Sequence, residues 1–376
     1  MRLRARHYAT NEIIDIGCRD GRIESIAPAS NQRADREAGY VAPALFDLQI
    51  NGCHGFGYSS PELTTEQVRR IVDVCRAHGI GGQLATLVTN SYEALHHGFA
   101  TLHKACETDR VVADAVPGFH LEGPYISPED GPRGAHAKIH VRKPDWDEFQ
   151  RLHEAAGGKI RLVTLAPEHD GALPFIERLV KAGIVVAIGH TAAKGDRIRE
   201  AIAAGAKLST HLGNGSHAMI PRHDNYIWEQ LAADELWASF IPDGHHLPGT
   251  LVKCIVRVKT PAHAIITCDA SSLAGSPPGR YTQWDMELEV QPGGKVVVPD
   301  TPFLAGSGVF TDECVARTVA MAGVSLADAI DMAGARPREL LGLPALQLEV
   351  GMPANLMLFD WDGKAGRLSV QCSDEI

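Results

Sequence analysis

Four side chains that could bind a metal ion or transfer a proton follow short apolar runs in this sequence. They are Glu122 after "PGFHL", His190 after "IVVAIG", His211 after "KLST" and Asp269 after "IITC". One carboxylate and two imidazoles suit Zn²⁺, with one coordination position left open for water. Asp269 would then face that water as a base. The four residues together predict a metal-dependent hydrolytic site.

Each of these residues also has a purely structural interpretation. A single histidine at a strand end is more often a buried, hydrogen-bonded side chain than a metal ligand, and this applies to His190 and His211. Asp269 could cap the following turn through its side chain. Glu122 is the strongest candidate, because a carboxylate beside a buried strand is costly unless a cation or hydrogen bonds compensate its charge. The metal site therefore depends on a fold that brings the four strand ends together.

The pattern of short apolar runs predicts such a fold. Eight strand-like runs alternate with helical stretches, which predicts an α/β fold of the (β/α)8 TIM-barrel type, with catalytic groups at the carboxyl ends of the strands. The predicted strands cover 44–50, 81–89, 115–122, 160–166, 183–190, 206–212, 236–243 and 263–269. A dinucleotide-binding fold is not favoured, because no G-x-G-x-x-G follows the first strand.

The clearest helical segment is "TTEQVRRIVDVCRAHG". Thr64 and Gln67 have the spacing of a capping box, and Gly79 stands where a left-handed residue ends a helix. The predicted apolar stripe of this helix consists of Val68, Ile71, Val72 and Cys75.

The two ends of the chain do not fit the barrel, because they contain short strand-like runs and turns such as "RDGRI". We expect them to pair into one small β-sandwich domain made of residues 1–42 and 343–376, beside a barrel domain of residues 43–342. Loops rich in Gly, Pro, Ser or His are predicted at 123–144, 213–226 and 271–285.

Composition excludes several classes of partner. The 376 residues carry a formal net charge of −10 and no basic block, so nucleic acid and anionic membranes are not expected to bind. The amino-terminal stretch "MRLRARHYATNEIIDIG" lacks the apolar region of a signal peptide. The eight cysteines include no C-x-x-C pair, which favours free thiols in a cytoplasmic protein.

A series of segments resembles a known family. They are "DLQINGCHG", "HLEGPYIS" with the later "GAH", "GHTAA", "THLGNGSHAMIPR", "PDGHHL", "TCDASSLAG" and "LAGS". In this order they resemble the N-acetylglucosamine-6-phosphate deacetylases of the amidohydrolase superfamily, from about residue 40 to the end of the barrel. The segment "GMPANLMLFD" is similar to the return strand of that superfamily's small β-domain.

The resemblance implies roles for individual residues. Glu122, His190 and His211 match the metal ligands of the family, and Asp269 matches the acid/base that activates the water. His136, in "GAH", matches the histidine that polarises the acetyl carbonyl. The matches to substrate-contacting positions are Ala135, Asn214, Gly215, Arg222, His246, Leu304, Ala305 and Gly306.

The sequence departs from the family's relatives in two places. Many amidohydrolases have H-x-H at the end of the first strand, whereas this chain has Gln49 and Asn51. Neutral amides are poor ligands beside imidazole and carboxylate, so we expect Gln49 and Asn51 to contact water or substrate and the site to hold one divalent ion. Zn²⁺ is expected, with Fe²⁺, Co²⁺ and Mn²⁺ as alternatives. The second departure is in the substrate loop, at Gly215–His217 and at "HDN" after Arg222.

Together these features predict hydrolysis of N-acetylglucosamine 6-phosphate to glucosamine 6-phosphate and acetate. Arg222 would bind the phosphate, although it could also be a surface charge. One alternative is the same chemistry on another N-acyl or cyclic amide substrate. A second alternative is a barrel that binds sugars without catalysis, which the intact set of ionisable groups argues against. The resemblance also suggests a homodimer.

Overall fold

A computed structural model describes residues 1–283 and 286–371 of the chain. The described residues form twenty strands: β1 (Arg2–His7), β2 (Ile13–Arg19), β3 (Arg22–Pro28), β4 (Arg36–Pro43), β5 (Leu45–Ile50), β6 (Gly52–Cys53), β7 (Phe56–Gly57), β8 (Ile80–Val88), β9 (Gly118–Glu122), β10 (Ile160–Leu165), β11 (Val185–Ile188), β12 (Leu208–Ser209), β13 (Trp237–Phe240), β14 (Ala264–Ile266), β15 (Gly279–Gln283), β16 (Met286–Gln291), β17 (Lys295–Val297), β18 (Leu304–Ser307), β19 (Leu356–Asp362) and β20 (Arg367–Gln371).

The same residues form eleven α-helices and one short 3₁₀ helix at Lys138–His140. The α-helices are α1 (Thr65–Ala77), α2 (Tyr92–Thr108), α3 (Arg110–Ala115), α4 (Trp146–Ala155), α5 (Ala172–Lys181), α6 (Gly195–Ala203), α7 (Tyr226–Ala232), α8 (Gly249–His263), α9 (Thr311–Ala322), α10 (Leu326–Met332) and α11 (Ala335–Leu340). None of the helices in the described part of the chain has the length and apolar character needed to span a bilayer.

Eight parallel strands form a barrel at the centre of the molecule. They pair in the order β14, β13, β12, β11, β10, β9, β8 and β5, and each predicted strand range overlaps one of them. The first and last strands meet where Ile50 pairs in parallel with Ala270 and where the backbone N–H of Asn51 donates to the Ala270 carbonyl at 2.9 Å. The predicted (β/α)8 barrel is therefore confirmed.

A buried carboxylate strengthens this closure. Asp47, in β5, accepts hydrogen bonds from the Gln49 backbone N–H at 2.9 Å and the Cys268 backbone N–H at 2.9 Å. It also accepts from the hydroxyls of Thr267 and Thr311, at 2.5 and 2.6 Å. Burial raises the pKa of Asp47, and these four hydrogen bonds offset part of that rise. The contacts tie the first strand to the last and to α9, and so fix the strand ends next to Gln49.

Two layers of side chains fill the barrel below its carboxyl-terminal rim. The layer nearest the amino-terminal ends is apolar and contains Phe46, Leu48, Leu84, Leu162, Ala187, Leu208, Ile265 and, from the end of α11, Leu341. Above it lies a polar layer, in which Nε2 of His120 lies 2.8 Å from Oγ1 of Thr164 and that oxygen lies 2.7 Å from Oγ1 of Thr210. The barrel is therefore a packed core, and only its rim is left to bind a ligand.

Helix α1 forms as its sequence predicts. The Thr64 side chain accepts from the backbone N–H of Gln67, and the Gln67 side chain accepts from that of Thr64, which is a complete capping box. The predicted apolar stripe is buried against the barrel. Gly79 has φ +74° just beyond the helix, where a side chain would be strained.

The two chain ends form a separate six-stranded sheet in the order β20, β19, β4, β1, β2 and β3, which fits the predicted β-sandwich domain. The hairpin of β2 and β3 turns at Asp20 and Gly21, with φ of 52° and 71°, as a type I′ turn requires. The domain boundaries at 42/43 and 342/343 remain predictions, and residues 372–376 lie outside the described part of the chain.

The predicted loop at 271–285 is wrong for its second half. β15 begins at Gly279 and pairs antiparallel with β16 in a four-stranded sheet that continues through β17 to β18. Residues of β15 are exposed or half-buried, so the segment "GRYTQ" has no apolar run by which to recognise it. Residues 284 and 285 of the predicted loop lie outside the described residues.

The cysteines of the described residues are free thiols, as predicted: Cys18, Cys53, Cys75, Cys106, Cys254, Cys268 and Cys314. Cys372 lies outside the described part of the chain.

Candidate active site

Glu122, His190 and His211 meet at the carboxyl-terminal rim of the barrel. Glu122 is the last residue of β9, and each histidine stands two residues beyond its strand, β11 or β12. Oε1 of Glu122 lies 3.2 Å from Nε2 of His190 and 3.1 Å from Nε2 of His211. The two Nε2 atoms are 3.0 Å apart. Three strands therefore direct three potential ligand atoms at one buried point.

Backbone strain marks the same place. His190, His211 and Asp269 have φ of 50°, 30° and 51°, in the left-handed region that residues other than glycine seldom occupy. Only eight non-glycine residues of the described chain have positive φ, so three of them fall in one site. Such strain costs of order 1–3 kcal/mol per residue and concentrates where function requires a fixed geometry. At His211 this backbone conformation is held in part by a hydrogen bond of 2.8 Å from its backbone N–H to Oγ of Ser239.

The hydrogen bonding of His190 suits a metal ligand. Its Nδ1 lies 2.8 Å from the carbonyl of Pro132, and because a carbonyl only accepts, Nδ1 carries the proton. Nε2 then presents a lone pair to Oε1 of Glu122 and to Nε2 of His211. These acceptors repel one another, and a cation bound among them would remove that repulsion. A histidine that binds a metal ion through one ring nitrogen usually donates the other N–H to a carbonyl or carboxylate, as His190 does to Pro132.

Electrostatics also favour a cation at this point. Burial alone would raise the pKa of Glu122, but the interactions with His190 and His211 outweigh it and hold the pKa well below its usual range. Glu122 is therefore a carboxylate despite being 2% exposed. A buried negative charge is the environment that a divalent cation stabilises.

His136 stands beside this set. Glu122, His136 and His190 each offer a ligand atom, and these atoms lie within 4.8 Å of one another. The His136 and His190 rings meet edge to face, with centroids 4.3 Å apart, and Nδ1 of His136 lies 2.8 Å from Oγ1 of Thr89. Burial, reinforced by His190, lowers the pKa of His136 to about 3. The ring is therefore neutral and next to the proposed ligands.

Asp269 is held by two amides. Its Oδ1 accepts from Nε2 of Gln49 at 2.9 Å and from Nδ2 of Asn51 at 2.7 Å, and the same Gln49 nitrogen donates to Oε1 of Glu122 at 2.8 Å. Burial and the charge of Glu122 raise the pKa of Asp269 well above its usual range. Within the described residues Oδ2 of Asp269 has no hydrogen-bond partner, so this oxygen is the one able to exchange a proton.

A cavity of about 680 Å³ opens above these residues. Thirteen of the fifteen residues selected from the sequence line it: Asn51, Glu122, Ala135, His136, His190, His211, Asn214, Gly215, His246, Asp269, Leu304, Ala305 and Gly306. His246 is fixed there by Asp243, whose Oδ2 lies 2.7 Å from its Nδ1. Gln49 does not line the cavity, and its side chain contacts the site through its hydrogen bonds to Glu122 and Asp269.

Arg222 is not brought to the cavity. Its side chain is exposed, and its backbone carbonyl accepts a hydrogen bond from Nε1 of Trp228 at 3.2 Å. The loop turns outward before this point, since Met219 is 90% exposed. The phosphate-binding role of Arg222 remains a prediction from the family resemblance.

Sequence reasoning missed several residues of the site. Thr89 ends a predicted strand, and this position was the signal that could have identified it. The Pro132 carbonyl gave no signal, because a backbone contact does not depend on side-chain type. Met286 and Leu288, in β16, and Phe303, before β18, line the cavity and belong to or adjoin the sheet that the sequence did not reveal.

Comparison with known proteins finds deacetylases that are similar over most of the chain. No protein-family model matches the chain. The N-acetylgalactosamine-6-phosphate deacetylase of Escherichia coli O157:H7 is 31% identical over 365 residues, which cover 95% of this chain and 94% of the relative. The N-acetylglucosamine-6-phosphate deacetylase of Bos taurus is 33% identical over 368 residues, which cover 92% of this chain and 87% of the relative.

A solved structure shows the same fold. A mutant of the N-acetyl-D-glucosamine-6-phosphate deacetylase of Mycobacterium smegmatis, in complex with N-acetyl-D-glucosamine-6-phosphate, superposes with a TM-score of 0.87 at 31% identity. The match covers 96% of this chain and 95% of that structure. The chain therefore belongs to the N-acetylglucosamine-6-phosphate deacetylase family of the amidohydrolase superfamily.

Proposed function

We propose that this enzyme hydrolyses the acetamide of N-acetylglucosamine 6-phosphate to glucosamine 6-phosphate and acetate, with one divalent ion held by Glu122, His190 and His211. The observation that carries the proposal is the meeting of these three ligand atoms, 3.0–3.2 Å apart, beside Asp269 in a cavity of about 680 Å³. The names of the relatives support an amino-sugar phosphate as the substrate.

The proposed ion is Zn²⁺, because a carboxylate and two imidazoles match its preferred donors. Bound there, Zn²⁺ would lower the pKa of a water ligand towards ~7 and polarise the acyl oxygen. One ion is proposed instead of two, because the side-chain amides of Gln49 and Asn51 donate their N–H groups to carboxylates. Amides bind metal ions through their oxygens, and neutral amide oxygens are poor ligands for first-row metals beside imidazole and carboxylate.

Asp269 carries the protons in this proposal. Oδ1 is held by Gln49 and Asn51, so the carboxylate keeps one orientation and offers Oδ2 to the attacking water. Oδ2 accepts a proton from that water as the new C–O bond forms, and it then gives the proton to the leaving nitrogen as the C–N bond breaks. A raised pKa makes the protonated intermediate state of Asp269 accessible during turnover.

His136 serves the acyl oxygen. His136 lines the cavity, and its neutral imidazole can donate a ring N–H to the oxygen as negative charge develops on it. Because His136 is half-buried, this donation is stronger than it would be in water, since the surrounding dielectric constant is lower. His246 and the backbone of Leu304–Gly306 are proposed to contact the sugar, since all line the same cavity.

The second candidate substrate is N-acetylgalactosamine 6-phosphate. The relative from Escherichia coli O157:H7 carries that name and matches over 95% of this chain. The two sugars differ only in the configuration of one ring hydroxyl, so the acetamide chemistry is the same for both.

A substrate panel tests the proposal. Both 6-phosphates and both unphosphorylated N-acetyl sugars would be incubated with zinc-loaded protein, and the free amine and acetate measured. We expect the highest kcat/KM with N-acetylglucosamine 6-phosphate and a much lower value without the phosphate. If no sugar of the panel yields free amine while another N-acyl compound does, the proposed substrate class is wrong.

We also propose that the enzyme is a cytoplasmic homodimer. The free thiols support the compartment, and the family resemblance supports the dimer. Light scattering after gel filtration should give twice the mass of the chain, and the mass of a single chain would contradict the dimer.

A further inference from the structure

The side chain of Thr89 makes one hydrogen bond among the described residues, and its partner is the proposed catalytic residue His136. The residue directly follows β8 and is 4% exposed. Its Oγ1 lies 2.8 Å from Nδ1 of His136 and has no other hydrogen-bond partner among the residues that the structure describes. Gly123, with φ +78°, leaves room for this hydroxyl, because a Cβ atom at that position would overlap Oγ1 of Thr89.

This contact determines which nitrogen of His136 carries the proton. A hydroxyl has one hydrogen to donate, and buried donors are normally paired. If Nδ1 of His136 carried the proton, the hydrogen of Thr89 would have no acceptor among the described residues. The hydroxyl therefore donates to Nδ1, and the ring proton lies on Nε2.

The neighbouring His190 has the opposite arrangement. Its Nδ1 faces the carbonyl of Pro132 at 2.8 Å, which can only accept, so its Nε2 is left with a lone pair. Two rings in contact, His136 and His190, thus present a donor and an acceptor respectively. A ring with a protonated Nε2 is suited to an oxygen that gains negative charge and unsuited to a metal ion.

We propose that Thr89 is a positioning residue for the hydrolysis: its hydroxyl fixes the tautomer in which Nε2–H of His136 donates to the acyl oxygen of the substrate. This rests on the proposed function. The same tautomer gives His136 a different role from the metal ligands, although one of its ring nitrogens lies within 4.8 Å of the ligand atoms of Glu122 and His190.

Kinetics of two variants provide the first test. Thr89→Val keeps the shape and removes the donor, whereas Thr89→Ser keeps the hydroxyl. We expect Thr89→Val to lower kcat roughly 10- to 100-fold, as for other groups that orient a functional histidine, with KM and zinc content little changed. Thr89→Ser should stay close to the wild type. The loss should be smaller on an N-trifluoroacetyl substrate, whose carbonyl needs less stabilisation.

Three kinetic results would overturn the proposal. They are wild-type kcat in Thr89→Val, an equal loss in Thr89→Ser, and a loss of zinc in Thr89→Val that accounts for the lost activity. The last result would place His136 among the metal ligands instead.

A second measurement does not depend on turnover. Long-range ¹H–¹⁵N spectra of the zinc-loaded protein labelled at histidine report the tautomer of each ring, and His136→Asn assigns the signals of His136. We expect the proton on Nε2 in the wild type and a change of tautomer or exchange between tautomers in Thr89→Val. A proton on Nδ1 in the wild type contradicts the proposal. If no protein of the series deacetylates a sugar, the proposed function fails, and the spectra still decide whether Thr89 sets the tautomer.

Discussion

The side-chain amide of Gln49 donates to Oδ1 of Asp269 at 2.9 Å, and the same nitrogen lies 2.8 Å from Oε1 of Glu122. One neutral residue thus joins the proposed proton carrier to a proposed metal ligand. Two carboxylates close together repel each other, and a shared donor reduces that cost. This explains why an amide suits the end of the first strand in the proposed single-ion site.

Removing the base should slow the reaction without emptying the metal site. Asp269→Asn keeps the shape of the side chain and cannot accept the proton. We expect kcat to fall at least ~10²-fold, within the range for general acid–base catalysis, while zinc content by mass spectrometry stays near the wild-type value.

Asp331→Asn is the matched control. Asp331 is a partly buried carboxylate that accepts from the Tyr8 hydroxyl at 2.8 Å and does not line the cavity. Its variant should retain nearly full activity. Wild-type turnover in Asp269→Asn would mean that this residue only caps its turn.

The pH profile should respond to Asn51. Burial and Glu122 raise the pKa of Asp269, whereas the hydrogen bonds from Asn51 and Gln49 to its carboxylate lower it. Asn51→Leu removes one donor that favours the charged form, so the pKa of Asp269 rises further. Because Asp269 must be ionised to accept the proton, the acid limb of the kcat profile should move to higher pH. An unchanged limb, or a shift to lower pH, would exclude this role for the amide.

The metal content should depend on Glu122. Glu122→Gln preserves size but replaces the anionic ligand, so affinity for Zn²⁺ should fall by at least ~10- to 100-fold, the loss seen even for less direct changes around metal sites. Zinc per chain would be measured against a competing chelator, with one ion per chain expected in the wild type. Glu148→Gln, at a carboxylate paired with Arg142 at 3.0 Å, should bind zinc normally. Two ions per wild-type chain would contradict the single-metal site.

Arg222 tests recognition of the phosphate. The prediction rests on the family resemblance, since the side chain is exposed and lies outside the cavity. Arg222→Ala should weaken binding of the phosphorylated sugar by roughly 1.5–3 kcal/mol, the net value of a hydrogen bond to a charged group, and should leave the unphosphorylated sugar unaffected.

The control for this variant is Arg199→Ala. Arg199 is an exposed arginine of α6 that pairs with Glu229 at 2.6 Å, so its loss should change neither substrate. Equal losses with both sugars in Arg222→Ala, or no loss with either, would show that Arg222 does not bind the phosphate.

The sequence was informative about the barrel because its strands are buried on both faces. Runs such as "IVVAIG" and "IRLVTL" are almost continuously apolar, which is the mark of parallel strands. β15 was missed because its residues lie against solvent and carry no such pattern. Helix α1 was predicted in detail because capping and amphipathicity are local properties of the chain.

The site was predictable where it depended on strand ends and not where it depended on contacts across the fold. Glu122, His190 and His211 follow from the rule that parallel strands of a barrel end on one rim. The tautomer of His190 depends on Pro132, and that of His136 depends on Thr89. Each partner is remote in the chain from the histidine that it contacts, and no local pattern encodes such contacts. The N–H groups of Gln49 and Asn51 turn towards two carboxylates, which no local pattern indicated. Asn51 also lines the cavity, and its contact with water or substrate stays a prediction.

The central claim is that this chain releases acetate from N-acetylglucosamine 6-phosphate by means of one ion at Glu122, His190 and His211. The most direct measurement is the amount of acetate and glucosamine 6-phosphate formed by the zinc-loaded protein, by the same protein after chelation, and after zinc is restored. The account predicts equal amounts of both products, their loss on chelation and their return with zinc. No release by the zinc-loaded protein, or release that persists when the metal has been removed, would contradict it.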